Sequence, residues 1–227
     1  MQPQAFEPNL PGQEEEMLRR FADSMQMNFE RWKEGTGYDL EALKCLSPQN
    51  QRRMEDQMTP PAGWRDVEAL AALDTPTARE TLRAAVHAQA IEVSLAVLSY
   101  APRLVDDGTR TDVILRALVE AQPFAGQTET LDRAMAFHPP VVVQALFARL
   151  LRASGEMAYH CAATLAAIFG VVDSRYDWSL RPLYLAFNTD DAAARRKAFL
   201  ALCQTLGVDD AAQLAVSAAF DDRHRAP

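Results

Sequence analysis

Any chemistry this chain performs must be built from a small set of side chains: four histidines, three cysteines and scattered carboxylates. The histidines are His87, His138, His160 and His224. Glu156 and His160 stand four apart in a helical context, the spacing that places two side chains on one helix face. Two ligands are too few for a protein zinc site, and no second pair completes the set. Cys45, Cys161 and Cys203 are far apart, odd in number and set in apolar contexts, with no Cys-x-x-Cys pair. They are expected to be buried free thiols of a reducing compartment rather than metal ligands or a redox couple. There is no Gly-x-Ser-x-Gly elbow, no Walker-type phosphate loop and no dinucleotide glycine fingerprint. Gly35 and Gly37 fit a helix stop and turn better than a phosphate cradle. No catalytic residue, metal ligand or cofactor is expected, and the chain is expected not to be an enzyme.

Residues suited to binding another protein are easier to find. Acidic doublets recur near turns and helix starts: Asp106-Asp107, Asp190-Asp191, Asp209-Asp210 and Asp221-Asp222. They fit helix caps and solubilising charge, or an acidic rim that meets a basic partner. Tyr176, Asp177, Trp178, Arg181 and Tyr184 form an aromatic and polar cluster in the least regular stretch of the chain. Aromatics and arginine are the usual anchors of protein interfaces, although such a cluster can also be a packed cap over neighbouring helices. The formal net charge is -8 and the pI about 5.0. That balance repels a polyanion on average, so nucleic acid is not an expected partner, although a patch such as Arg195-Arg196-Lys197 could touch phosphate. This patch is expected to be a solvated helix face, with Asp191 and Arg195 at the favourable i, i+4 spacing.

These residues must be positioned by helices. The chain has 227 residues, 48% of them hydrophobic, enough to bury a sizeable core in one domain or one array. Met17, Phe21, Met25 and Phe29 predict one helix closed by Gly35 and Gly37. Asp39 predicts a cap for a short helix carrying Leu40, Leu43 and Leu46. Ser47-Pro48 and Thr75-Pro76 repeat a cap followed by proline at the first helical position. Helical spacing recurs from Thr111 to about Gln122, through Leu131 and Met135, from Val142 to Leu151 and from Tyr159 to Phe169. Asn188-Thr189 predicts the cap of a last clear helix from Asp190 to Leu206, stopped by Gly207.

No strand signal appears. Ser47, Thr75, Thr111, Pro139 and Ser179 open units at intervals of roughly 30–40 residues, the period of helical arrays that bury their faces by stacking. An irregular helical bundle is the competing arrangement. The expected fold is all-α, with antiparallel helical hairpins stacked into a short solenoid. Residues 1–12 are expected to form an extended lead-in, 13–207 a single helical-repeat domain, and 208–227 a possible extra helix and frayed tail. The N-terminal residues lack the basic and apolar regions of a secretory signal. Apolar stretches such as Cys161 to Val172 are too short to cross a bilayer. A cytoplasmic protein without membrane contact is expected.

The segment from Thr75 to Pro102 resembles a HEAT repeat. Thr75 to His87 looks like its first helix and Ile91 to Pro102 its second, with Ile91, Glu92 and Val93 matching and Ser94 where the family favours arginine. The chain also resembles bacterial HEAT-like immunity proteins that accompany polymorphic toxins. That likeness rests on Phe29 to Trp32 with Gly35 to Leu40, on Trp64 to Leu70, and on Asp177-Trp178, Arg181-Pro182 and Phe187 to Asp190. The resemblance implies a HEAT-like solenoid that neutralises a cognate, basic toxin or effector by binding and occlusion. Asp106, Asp107, Tyr176, Asp177, Trp178, Arg181, Tyr184, Asp190 and Asp191 are the candidate partner-binding residues. A HEAT-like enzyme acting on nucleic acid, or a scaffold, is the alternative. Iron-binding HEAT-like enzymes carry paired His-Glu motifs, and this chain has no His-Glu dipeptide.

Overall fold

The computed structural model describes residues 11–120, 126–152, 156–177 and 179–209. Among them are thirteen α-helices and one short 3-10 turn, with no β-strand. No helix among the described residues is long and apolar enough to cross a membrane. The chain divides into two compact units, Met1–Asp106 and Asp107–Pro227.

Unit 1 contains α1 (Pro11–Met25), α2 (Phe29–Lys33), α3 (Leu40–Lys44), α4 (Pro48–Gln57), α5 (Trp64–Leu73), α6 (Pro76–Ala85), α7 (Ile91–Tyr100) and the 3-10 turn Pro102–Leu104. α1 packs on α3, α3 on α5 and α5 on α7, while α6 covers both α5 and α7. Phe21, Leu43, Leu46, Met58, Val67, Leu70, Leu82 and Leu95 are buried between them. The start signals work as the residue types dictate. Asp39 accepts from the N–H of Ala42 at 2.9 Å, Ser47 from that of Asn50 at 3.4 Å and Thr75 from that of Ala78 at 3.0 Å. Each satisfies a donor that the first helical turn leaves without an intrahelical partner.

α1 begins at Pro11, two residues before the expected start, because proline suits the first helical position. The expected long first helix is two helices. α1 stops at Met25, and Asn28 Oδ1 then accepts from the N–H of Arg31 to start α2. The Arg31 guanidinium donates to the carbonyls of Asp23 and Gln26 at the end of α1. Phe29 therefore leaves the apolar stripe and is 72% exposed. Cys45 is also exposed rather than buried, whereas Cys161 and Cys203 lie in the core. α7 is buried from Val93 to Leu98, Ser94 included. The position that the HEAT pattern gives to arginine thus faces the core here, where a long cation would lack solvent.

Unit 2 contains α8 (Asp107–Glu120), α9 (Gln127–Ala136), α10 (Pro140–Arg152), α11 (Glu156–Ile168), α12 (Arg181–Leu185) and α13 (Ala192–Leu206). Consecutive helices pair as α8 with α9, α10 with α11 and α12 with α13. α8 packs on α10 and α10 on α13, while α9 packs on α11 and α11 on α12. The result is two rows, with the third pair entering in reversed order. Phe147 of α10 joins them, edge-on to Phe199 at 5.9 Å and to Phe169 at 6.2 Å.

Three helix starts differ from expectation. α8 begins at Asp107, so Thr111 lies inside it and returns its hydroxyl to the Asp107 carbonyl. Ser179 caps nothing, because α12 starts after Leu180 without a side-chain cap. α13 is capped by Asp191, which accepts from the N–H of Ala193 at 2.8 Å. Gly207 ends α13 at φ 69°, a left-handed position that suits glycine. Residues 1–10 of the expected lead-in and 210–227 of the expected tail lie outside the described residues, while Pro11 and Gly12 belong to α1.

Candidate partner-binding surface

Among the described residues of unit 2, the stretch between α11 and α12 holds the most exposed aromatic side chain, Tyr176. Phe169 is 39%, Val171 40% and Tyr176 60% exposed. These three large apolar side chains fall within eight positions of the chain, and exposed apolar surface marks interaction sites where it is contiguous. Irregular backbone usually leaves such side chains mobile, but here a buried cation holds Tyr176. Arg175 is buried and reaches across the chain to Asp132 of α9, with Nε 3.0 Å and Nη2 2.9 Å from Oδ1. Its guanidinium also lies 4.4 Å from the centre of the Tyr176 ring and donates to the Tyr176 hydroxyl oxygen. Tyr176 is thus presented on a fixed base, and a preorganised side chain loses little freedom on binding.

The charge around it is negative. Asp132 neutralises Arg175, while Asp173 is exposed and Asp177 half-buried beside Tyr176. Hydrogen bonds from Ser179, by its side chain and by its backbone N–H at 2.7 Å, hold the Asp177 carboxyl below its ordinary value. Asp177 is therefore a carboxylate at neutral pH.

The other expected binding residues are dispersed. Asp106 is exposed at the end of unit 1. Asp107 opens α8 and pairs with Arg110 at 3.3 Å. Arg181 is exposed at the start of α12, and Trp178 lies outside the described residues. Asp190 and Asp191 are exposed before α13, with Asp191 engaged as its cap. Tyr184 belongs to the core, not the surface: it is fully buried, edge-on to Tyr159 at 5.7 Å. Burial, and secondly the Asp177 charge, push its hydroxyl up to about 12. Arg195 does not pair with Asp191 either. Its guanidinium donates to the carbonyls of Leu151 and Thr189, for which a short reach into the helix ends suffices.

Phe169, Val171, Asp132 and Arg175 were not singled out in the sequence. Phe169 reads there as the last apolar position of α11. The bond between Arg175 and Asp132 spans 43 positions and has no local signature.

In unit 1, Thr36 to Tyr38 and Trp64 to Glu68, which carry part of the resemblance, fold against each other. Arg65 Nε donates to the Thr36 carbonyl at 2.7 Å, and Tyr38 donates its hydroxyl proton to Asp66 at 2.9 Å. Asp66 also accepts from the N–H of Ala62 at 2.8 Å. A Cβ on Gly37 would stand 2.7 Å from Glu68 Oε2, so a larger residue there would make the Glu68 carboxyl shift. Burial raises the Glu68 carboxyl above its ordinary value, partly offset by Arg65. Trp64 stacks on the exposed ring of Tyr100 at 6.3 Å and lies under the Arg65 guanidinium at 4.5 Å.

Chemistry-bearing residues are spread out. Among the described residues no three of His, Cys, Asp and Glu are grouped to hold a metal ion. The Glu156 side chain and His224 lie outside the described set. Burial pushes the Cys161 thiol up to about 12, which makes it a poor nucleophile. Comparison with protein-family models, curated proteins and solved structures yields no match.

Proposed function

We propose that the chain is a non-catalytic protein-binding module of HEAT-like helical repeats, an immunity protein that binds a cognate bacterial toxin and occludes its active site or the path to it. The observation that carries the reading is Tyr176, exposed in the same stretch as Phe169 and Val171, braced by the buried Arg175–Asp132 pair and flanked in the chain by Asp173 and Asp177. A rigid aromatic anchor within a negative surround suits a partner with a basic surface. The repeat reading is supported by unit 2, where α8/α9 and α10/α11 are successive pairs whose like members pack on each other. The reversed third pair would then act as a terminal cap.

The test is co-expression with the product of the adjacent gene, followed by purification and a toxicity assay. The expected result is a stoichiometric complex that relieves toxicity. Tyr176→Ala should weaken that complex by about 30-fold, the loss of one interface anchor of about 2 kcal/mol. A harmless neighbour that does not bind would overturn the immunity reading.

A further inference from the structure

Trp64 opens α5 and Tyr100 closes α7, and their rings stack at 6.3 Å with 15° between the planes. Trp64 is half-buried and Tyr100 is 40% exposed. Arg65 lies 4.5 Å from the centre of the Trp64 ring. Tryptophan, tyrosine and arginine are the residue types most enriched among interface anchors. All three belong to unit 1, whereas Tyr176 belongs to unit 2.

Two carboxylates stand beside this stack. Glu68 follows Trp64 by four positions and shares its face of α5. Its Oε2 lies 2.7 Å from the place a Cβ of Gly37 would take, and that place is 3.8 Å from Cη2 of Trp64. Carboxylate and ring edge therefore meet at one glycine. Glu92, in the first turn of α7, has Oε1 3.8 Å from the corresponding place at Gly63, the residue before Trp64. Glu68 is half-buried and Glu92 exposed. Among the described residues, neither carboxylate has a hydrogen-bond donor or an ion-pair partner. Arg65 acts on Glu68 through charge alone, with its Nε committed to the Thr36 carbonyl at 2.7 Å. A carboxylate partly removed from water and without a donor gains from a charged donor brought to it.

We propose that this corner of unit 1 receives a lysine side chain from a basic segment of a protein partner, its ammonium at Glu68 and its stem along Trp64 and Tyr100. Lysine carries a compact charge on an apolar four-carbon stem, which suits an aromatic wall with a carboxylate at its edge. Glu92 adds attraction from the Gly63 side. Charge decides against an acidic partner: Asp66, Glu68 and Glu92 stand against Arg65, in a chain of net charge -8. The site does not depend on the immunity reading, since its ligand is defined by charge and shape and it lies in the other unit from Tyr176.

The test uses the full chain and fluorescence anisotropy at physiological salt, where a Debye length of about 8 Å suppresses diffuse attraction to an acidic chain. The probes are a labelled peptide of lysine, serine and glycine and the same peptide with every lysine acetylated, which keeps the stem and removes the charge. The lysine peptide should bind in preference to its acetylated form. Glu68→Gln should weaken it at least about tenfold. Glu80→Gln, which removes an equal charge from an exposed position of α6, should change it less than about twofold. Should the Glu68 variant not fold, exposed Glu92→Gln takes its place and should weaken binding more than Glu80→Gln does. Equal binding of the two peptides, or losses at Glu68 and Glu92 no greater than at Glu80, would overturn the proposal. No toxin enters the assay, so its outcome is separate from that of the co-expression test.

Discussion

Asp74 ends α5 in the left-handed region, at φ 52°, and binds two arginines in that position. Arg79 reaches it with Nε at 2.8 Å and Nη2 at 2.9 Å, and Arg103 binds the same carboxylate. Hydrogen bonds from Arg79 and then Arg103 hold its carboxyl far below the usual range. A carboxyl depressed on folding stabilises the protein above its unfolded value, about 3.9, and loses that contribution as pH falls through the folded value. Asn tolerates the left-handed region and removes only the charge. Asp74→Asn should therefore lower the melting temperature at pH 7, and the gap from the parent protein should narrow progressively as the pH is taken below about 4. Thermal melts of both proteins across that range check this. A gap independent of pH would mean that the arginines contribute through packing alone.

At the scale of elements, capping decides where these short helices start. Thr75 accepts from Ala78 and donates its own proton to Glu55 at 2.7 Å, while Glu55 is itself buried. Thr75→Ala should cost about 1 kcal/mol for the cap, with about 1–3 kcal/mol more for the buried carboxylate left without its donor. Thr75→Ser keeps both bonds and should cost much less; urea unfolding of the two variants separates them. Caps written in adjacent residues were legible: Asp39, Ser47-Pro48 and Thr75-Pro76 each start the helix expected of them. The break after Met25 was not. A four-residue apolar spacing continues through Met25 and Phe29, and only the placement of Arg31 on the carbonyls of Asp23 and Gln26 shows that the helix has already ended. Likewise Asn188-Thr189 and Asp190-Asp191 offered several polar residues able to cap, and the backbone path chose Asp191.

At the scale of the molecule, charge is unevenly spread. The chain is acidic overall, yet in unit 2 exposed Tyr176 lies between Asp173 and Asp177 in the chain, while α10 and α13 carry basic residues and no acidic ones. If the partner is basic, its association rate should fall steeply with added salt while dissociation changes little, because screening acts on long-range steering. Stopped-flow measurements on the complex at several salt concentrations check this. A rate insensitive to salt would remove charge as the driver and leave Tyr176, Phe169 and Val171 to account for recognition.

Helical content and the starts of α3, α4 and α6 were determined by the sequence alone. Apolar spacing, caps, proline and glycine act within a few residues, so they can be read from local order. The fate of Tyr184 and Tyr176 was decided only by tertiary structure. Both belong to one aromatic cluster in the text, but Tyr184 packs against Tyr159 in the core, while Tyr176 is held outward by an arginine whose partner lies 43 positions away. Burial and charge neutralisation depend on which distant segments come into contact, and a single sequence does not specify those contacts by spacing.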